Sequence, residues 1–328
     1  MKEHIALLGA TGTVGQKFIS LLETCDDFVI DEVSGSDAHS GKFYKDAVYW
    51  RDQGLMPARI GNLTQKKIWE LTSKYVISSI PAEAATEIES WLASHGHIVI
   101  SNSSAMRMKA DVPLIIPEVN PKHLDLCAKQ KTNGKIITNP NCSTVFLALA
   151  LAPLKELAEI EHVHVVTMQA ISGAGYPGVP ASDIVGNIIP FINGEEEKIE
   201  RETKKILGTL DKPASFGLTV HVHRVPIQHG HMIATHVHFN KSVTIADVIK
   251  KFNEWNKRHP GLYALHFSDD HPRPSTDLSI LDQRVHIGRL KQGHAPNVVG
   301  LVSLGHNLVR GAAGAALLNL RLAKKVLG

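Results

Sequence analysis

His4-Ile-Ala-Leu-Leu8 is a short apolar run, and Gly9-Ala-Thr-Gly12-Thr-Val-Gly15 follows it directly, ahead of Phe18, Leu21 and Leu22 at helical spacing. The reading is a strand, a glycine turn and a helix. Such a turn lets backbone amides approach a pyrophosphate while the helix N-terminus supplies positive potential. The spacing GxxGxxG also suits a merely tight structural turn, and its place at the first strand–helix junction is what favours a dinucleotide.

The alternation continues. Phe28 to Val33 predicts a second strand, delivering Ser34-Gly-Ser-Asp37 to where an adenosine ribose should lie. Asp37 suits a free 2′-hydroxyl, whereas His39, Lys42 and the serines suit a phosphate; a solvated loop is the plain alternative. Thr64 to Lys74 reads as a helix, Val76 to Ile80 as a strand, Ala82 to Ser94 as a helix and His97 to Ser101 as a strand. Leu114 to Asn120 and Ile136 to Thr138 read as two more. This half is a Rossmann-type, doubly wound parallel sheet. Arg107, in the polar loop 101–107 at a strand end, can clamp a carboxylate or phosphate.

A chain of 328 residues has length for two cores, and a formal charge of +3 without a dense Lys/Arg tract implies neither nucleic acid nor an anionic membrane as partner. Cys25, Cys127 and Cys142 are an odd number without metal-ligand spacing, which points to a reducing compartment rather than a disulfide framework. Cys25 and Cys127 read as packing residues. The N-terminus enters a strand at once, with no room for a signal peptide, and no apolar run spans a bilayer; the expectation is a cytoplasmic protein.

Asn139-Pro-Asn-Cys142 precedes the strongly apolar run Val145 to Leu151, so Cys142 should lie within a residue or two of a helix start. Unpaired amides and the helix dipole there favour a thiolate, which is what a covalent nucleophile needs. A small hydrophobe capping a core helix fits the segment equally well.

Beyond it the texture changes. Glu161 to Ile171 is a long alternating strand leading to a sharp loop, Ser172 to Gly178, with Gln169 on the face of Thr167 and Ile171. The charged run Asn193 to Leu207 reads as an exposed helix. Leu218 to Pro226, Met232 to Phe239 and Val298 to Leu304 read as strands of a mostly antiparallel sheet, Thr244 to Arg258 as a helix on it, and Val309 to Ala323 as a small-residue helix returning to the first domain. The expected architecture is an α/β first domain, 1–141 with 306–328, and an α+β second domain, 142–305. Nineteen histidines include the His-x-His pairs 162/164, 221/223, 229/231 and 236/238, which lack acidic or cysteine partners, and no metal site is expected. His231 stands apart, because the turn from Arg224 brings a cation and an imidazole toward one point.

These residues resemble the aspartate-β-semialdehyde dehydrogenases, in particular their archaeal and fungal branch. The resemblance rests on GATGTVG at 9–15, SNSSAMRM at 101–108, PLIIPEVNP at 113–121, NPNCST at 139–144, MQAISGAGYPGVP at 168–180, IPFINGEEEKIERETKKILG at 189–208, HRVPIQHGH at 223–231 and RGAAGAALLN at 310–319. It implies that Cys142 is the nucleophile, His231 the acid/base and Gln169 the group orienting the substrate. It further implies that Arg224 binds the α-carboxylate, Glu195 the amino group, and Arg107 with Lys198 the phosphate, helped by Asn102 and Asn141. The implied cofactor is NADP, with NAD as alternative and no metal, held by Gly9, Thr11, Gly12, Thr13, Val14 and Gly15, with Ser34, Ser36, Asp37, Ser172, Gly173 and Asn307. The implied reaction is reduction of L-aspartyl-4-phosphate to L-aspartate 4-semialdehyde, on the route to lysine, threonine and methionine, in a homodimer or homotetramer. The alternatives are a malonyl-CoA reductase with the same cysteine and hydride chemistry, and a non-catalytic nucleotide- or metal-binding protein on the same fold.

Overall fold

The structure, a computed structural model, describes residues 2–328, apart from the side chain of Asp37. The chain divides into two compact units: 1–117 with 121–140 and 312–328, and 118–120 with 141–311. In chain order the first contains β1 (Glu3–Leu8), α1 (Thr13–Leu22), β2 (Phe28–Ser34), α2 (Tyr44–Ala47), α3 (Ala58–Gly61), β3 (Gln65–Lys66), β4 (Tyr75–Ser78), α4 (Ala82–Ser94), β5 (Ile98–Ser101) and β6 (Lys135–Thr138). The second contains α5 (Cys142–Lys155), β7 (Ile160–Ala170), α6 (Ala181–Ile184), α7 (Glu195–Leu207), β8 (Gly217–Val225), β9 (His231–Phe239), α8 (Ile245–Arg258), β10 (Tyr263–Leu265), α9 (Pro274–Asp277), β11 (Val285–Gln292) and β12 (Val298–Gly305). The last helix, α10 (Gly314–Leu327), belongs to the first unit.

The first unit is a parallel sheet in the order β3-β2-β1-β4-β5-β6. Its strands β4 and β5 are buried throughout, as parallel strands covered on both faces must be. The order reverses beside β1, and in such sheets ligands bind at that switch point, outside the carboxyl ends of the strands. Gly9, at the end of β1, lies there.

Two expectations fail in this unit. The segment 64–74 is not a helix but the short β3 and a 3-10 turn at Ile68–Glu70. The buried carboxylate of Glu32 accounts for this, since it accepts the backbone N–H groups of Thr72 and Ser73, both hydroxyls and the Lys66 ammonium. Burial alone would raise the Glu32 carboxyl, but Lys66, Ser73 and Thr72 outweigh it and hold it down to about 2. A tertiary acceptor thus overrides local propensity. The expected strand at 114–120 is reduced to one bridge, Leu114 to Thr138; Pro117 interrupts it, and Glu118 leaves for the second unit, where it accepts from the buried Arg310 at 2.9 Å.

The second unit has a mixed sheet in the order β10-β11-β12-β9-β7-β8, antiparallel except for its two outer pairs. Strands β10 and β11 escape the sequence reading because they are short or interrupted by a register shift at Gly288. Helix α5 is apolar all round, is buried from Ser143 to Leu154, and packs against α7, α8, β9 and β12. Each fully buried Leu or Phe in it contributes about 1.5–3 kcal/mol. Helix α7 is not the wholly exposed helix its charge suggests: Glu195, Ile199, Glu202, Thr203, Ile206 and Leu207 are buried.

Candidate active site

In the first unit, a Cβ on Gly9 would stand 2.6 Å from the carbonyl oxygen of Ser79, and one on Gly15 would stand 2.4 Å from that of Gly9. Only glycine permits this turn, and Gly9 also adopts φ +77°. Gly12 caps α1 without a side-chain hydrogen bond, and Thr11 to Val14 remain accessible. Ser34 is fully buried, its carbonyl accepting the Gly9 N–H at 2.9 Å, so it fastens the turn from below. Ser36 is exposed, 3.5 Å from Nδ1 of His39; the Asp37 side chain lies outside the described residues. Beyond them the Gln65 amide is buried with both polar atoms unpartnered, and its oxygen lies 2.5 Å from where a Cβ on Gly35 would be. A bare glycine cradle at a helix N-terminus, with buried amide capacity beside it, fits a dinucleotide. Further along, Arg107 is buried and donates to the Asn102 carbonyl at 2.7 Å, while the Asn102 side chain accepts from Asn139 at 2.9 Å.

In the second unit, Cys142 is the first residue of α5, half-buried and outside any disulfide. The side chain of Asn141 accepts the N–H groups of Ser143 at 2.9 Å and Thr144 at 3.2 Å, capping the helix. Asn141 is itself gripped by α7: its amide donates to Glu195 at 2.7 Å and its backbone N–H to Glu202 at 2.6 Å. A Cβ on Gly311 would come within 2.8 Å of the Cys142 Cβ, so the chain passes the cysteine as closely as backbone can.

A second group converges at the end of β7. His231 is fully buried at the start of β9; its Nδ1 accepts the Ala170 N–H at 3.1 Å, and its Nε2 has no hydrogen-bond partner. Burial, then the Arg224 guanidinium, push this imidazole down to about 3. It is therefore neutral near pH 7, and because Nδ1 is an acceptor the proton sits on Nε2. Arg224 donates from Nη1 to the Ala170 carbonyl at 2.7 Å; burial lowers its pKa, while Cys142 and Glu195 act in the opposite sense. Nη1 of Arg224 and Nε2 of His231 both lie 3.0 Å from the point where Gly173 would carry a Cβ. Gln169 is buried and donates to the Thr167 hydroxyl at 3.2 Å. Asn307 accepts the Gly230 N–H at 2.9 Å and donates to the Ser172 hydroxyl at 2.9 Å, bracing the turn before His231. Lys198 stands one helical turn beyond Glu195 on α7.

The second unit thus assembles Cys142, Asn141, Glu195, Arg224 and His231 into one electrostatic neighbourhood, while Gly9 to Gly15, Asn102 and Arg107 belong to the first. Reading the sequence missed Glu202, Asn139 and Gly311. Glu202 carried a signal, since it follows Glu195 by two helical turns and shares its face.

A thiol at a helix start, a neutral buried imidazole and an arginine in one unit, and a dinucleotide turn in the other, are the parts that a dehydrogenase of aldehydes or their acyl derivatives uses. Two family models match accordingly: semialdehyde dehydrogenase, NAD binding domain, over residues 4–127, and semialdehyde dehydrogenase, dimerisation domain, over residues 151–310. Among curated relatives, aspartate-semialdehyde dehydrogenase of Methanothermobacter thermautotrophicus is 40% identical over 99% of both chains, and that of Schizosaccharomyces pombe is 38% identical over 98% of both. Of solved structures, the Candida albicans aspartate semialdehyde dehydrogenase with NADP superposes with TM-score 0.88, at 31% identity over 98% of each chain. Aspartate semialdehyde dehydrogenase II of Vibrio cholerae, complexed with ASA, gives 0.83 at 26% identity over 99% of each. The chain belongs to the aspartate-semialdehyde dehydrogenase family, and is an oxidoreductase.

Proposed function

We propose that this protein reduces L-aspartyl-4-phosphate to L-aspartate 4-semialdehyde, releasing inorganic phosphate, with NADP as the dinucleotide. The observation that carries the reading is the convergence of Arg224 and His231 on the Gly173 loop, with Cys142 and Glu195 acting on the same guanidinium. Carboxylate, amino group and electrophilic carbon each have an assigned partner.

The Cys142 thiolate attacks the acyl phosphate carbonyl, the C–O bond to phosphate breaks, and a thioester remains on the cysteine. Arg224 holds the α-carboxylate through its planar fork, Glu195 the ammonium group, and Arg107 and Lys198 the phosphate. Gln169 orients the acyl group. Gly9 to Gly15 would hold the dinucleotide, which when bound would supply hydride to the acyl carbon. The Nε2–H of His231 then donates to negative charge developing on the reacting oxygen, and collapse of the tetrahedral carbon returns the thiolate and frees the aldehyde.

The matched relatives and the solved structure with NADP are aspartate-semialdehyde dehydrogenases, which favours that activity over the two alternatives. No helix among the described residues is long and apolar enough to cross a membrane. The match to a dimerisation domain supports a homo-oligomer, a dimer or tetramer. Oxidation of aspartate semialdehyde, followed at 340 nm with NADP or NAD, tests the proposal. Turnover should require phosphate and ignore coenzyme A; the reverse requirement would overturn it.

A further inference from the structure

The histidines left unexplained by this chemistry include a group outside the His-x-His pairs. His266 follows β10, His271 lies five residues on, and Asp277 ends α9. We propose that His266, His271 and Asp277 form a binding site for a divalent transition metal of the zinc class. One ligand atom from each lies within 4.8 Å of the others, and among the described residues no other three His, Cys, Asp or Glu side chains come so close. A tetrahedral sphere with bonds of 2.0–2.1 Å needs ligand atoms about 3.3 Å apart, so a cation would draw these side chains together by at most about 1.5 Å.

Three further observations support the site. The Asp277 carboxylate already lies 2.8 and 3.0 Å from Nδ1 of His271, a spacing a shared cation would widen slightly. The outer partners that steady metal-binding imidazoles are also present. Nε2 of His266 is 2.9 Å from Nδ1 of His286, and Nε2 of His286 is 3.2 Å from Asp282. Finally, the backbone is shaped to bring the two histidines together: a Cβ on Gly288 would stand 2.6 Å from the His271 carbonyl oxygen and 3.2 Å from the His266 Cβ. Two imidazoles and one carboxylate, all half-buried, leave the remaining coordination position to water, a donor set that suits Zn²⁺, Co²⁺ or Ni²⁺ rather than Mg²⁺ or Ca²⁺.

The site bears on the active centre through one short segment. Leu278 and Pro274, flanking Asp277, would meet a Cβ on Gly230 at 2.7 and 3.1 Å, and Gly230 immediately precedes His231. A cation joining His266 to Asp277 would hold that segment against the His231 turn. A metal here departs from the expectation of a metal-free protein, and spacings of five and six residues match no ligand motif in the sequence.

The test is a Co²⁺ titration of the full-length, chelator-stripped protein, followed by visible absorption. One saturable equivalent with tetrahedral-type bands is expected. His271→Asn and Asp277→Asn should each weaken it at least about tenfold, whereas His164→Asn, on the exposed face of β7, should leave it unchanged. Absence of binding to the wild type, insensitivity to both substitutions, or loss on His164→Asn or Cys142→Ser instead would overturn the proposal. Independently of any variant, a zinc-edge anomalous map of crystals grown with equimolar Zn²⁺ should place a peak between these three side chains; peaks only elsewhere would also overturn it.

Discussion

The backbone N–H of Ala170 donates to Nδ1 of His231, and the Ala170 carbonyl accepts from Arg224, so one peptide residue at the end of β7 orients both the imidazole and the guanidinium. Burial holds His231 neutral in the folded protein, with a pKa near 3 against about 6.5 unfolded. The unfolded chain therefore binds the extra proton first. Stability contributed by the neutral form is complete above pH 6.5 and is lost as pH falls toward 3. Denaturant melts of wild type and His231→Asn should diverge in slope by up to about 1.4 kcal/mol per pH unit across that window; parallel curves would contradict a neutral buried imidazole.

Cys142→Ala should lower turnover by at least about 10³-fold while leaving dinucleotide affinity unchanged. Fluorescence titration with NADP and a steady-state assay together check it. Turnover within tenfold of wild type would exclude covalent catalysis.

Arg224→Lys keeps the charge but loses the planar fork. The KM for aspartate semialdehyde should rise about 10–100-fold, with a smaller change in kcat, in initial-rate measurements. An unaltered KM would remove Arg224 from substrate recognition.

Gly311→Ala places a methyl group 2.8 Å from the Cys142 Cβ. Overpacking of this kind costs about 1–3 kcal/mol, and the displaced sulfur should lower kcat. Thermal unfolding and turnover should fall together; a neutral substitution would mean that the two backbones are not in contact.

Glu202→Ala removes the acceptor of the Asn141 N–H. Losing it should cost about 1–3 kcal/mol and reduce kcat more than it raises KM, because Asn141 caps the helix that presents the sulfur. Chemical denaturation and steady-state kinetics decide this.

Much of the fold was legible because local and tertiary demands coincide. The helix at Ala82–Ser94 and the strand at Ile160–Ala170 carry unambiguous periodicity, and the structure has them within a residue of their expected ends. Where the demands conflict, the sequence misleads. Residues 64–74 have helical composition, but the carboxylate of Glu32, forty residues away, claims their amides. The helix start at Cys142 was readable from Pro140 and the apolar run, whereas its fastening to Glu195 and Glu202 was not, since acidic residues on a charged helix look solvated until a partner element buries them. The proton position on His231 depends on an amide sixty-one residues earlier, which no local pattern encodes.

Helix α7 looks like raw material for solubility engineering, rich in Glu and Lys and easily recoded. Its inward acids make that a hazard. Neutralising Glu195 or Glu202 while redesigning the surface would loosen the footing of Cys142 from a distance, and the resulting loss of activity would be mistaken for poor folding.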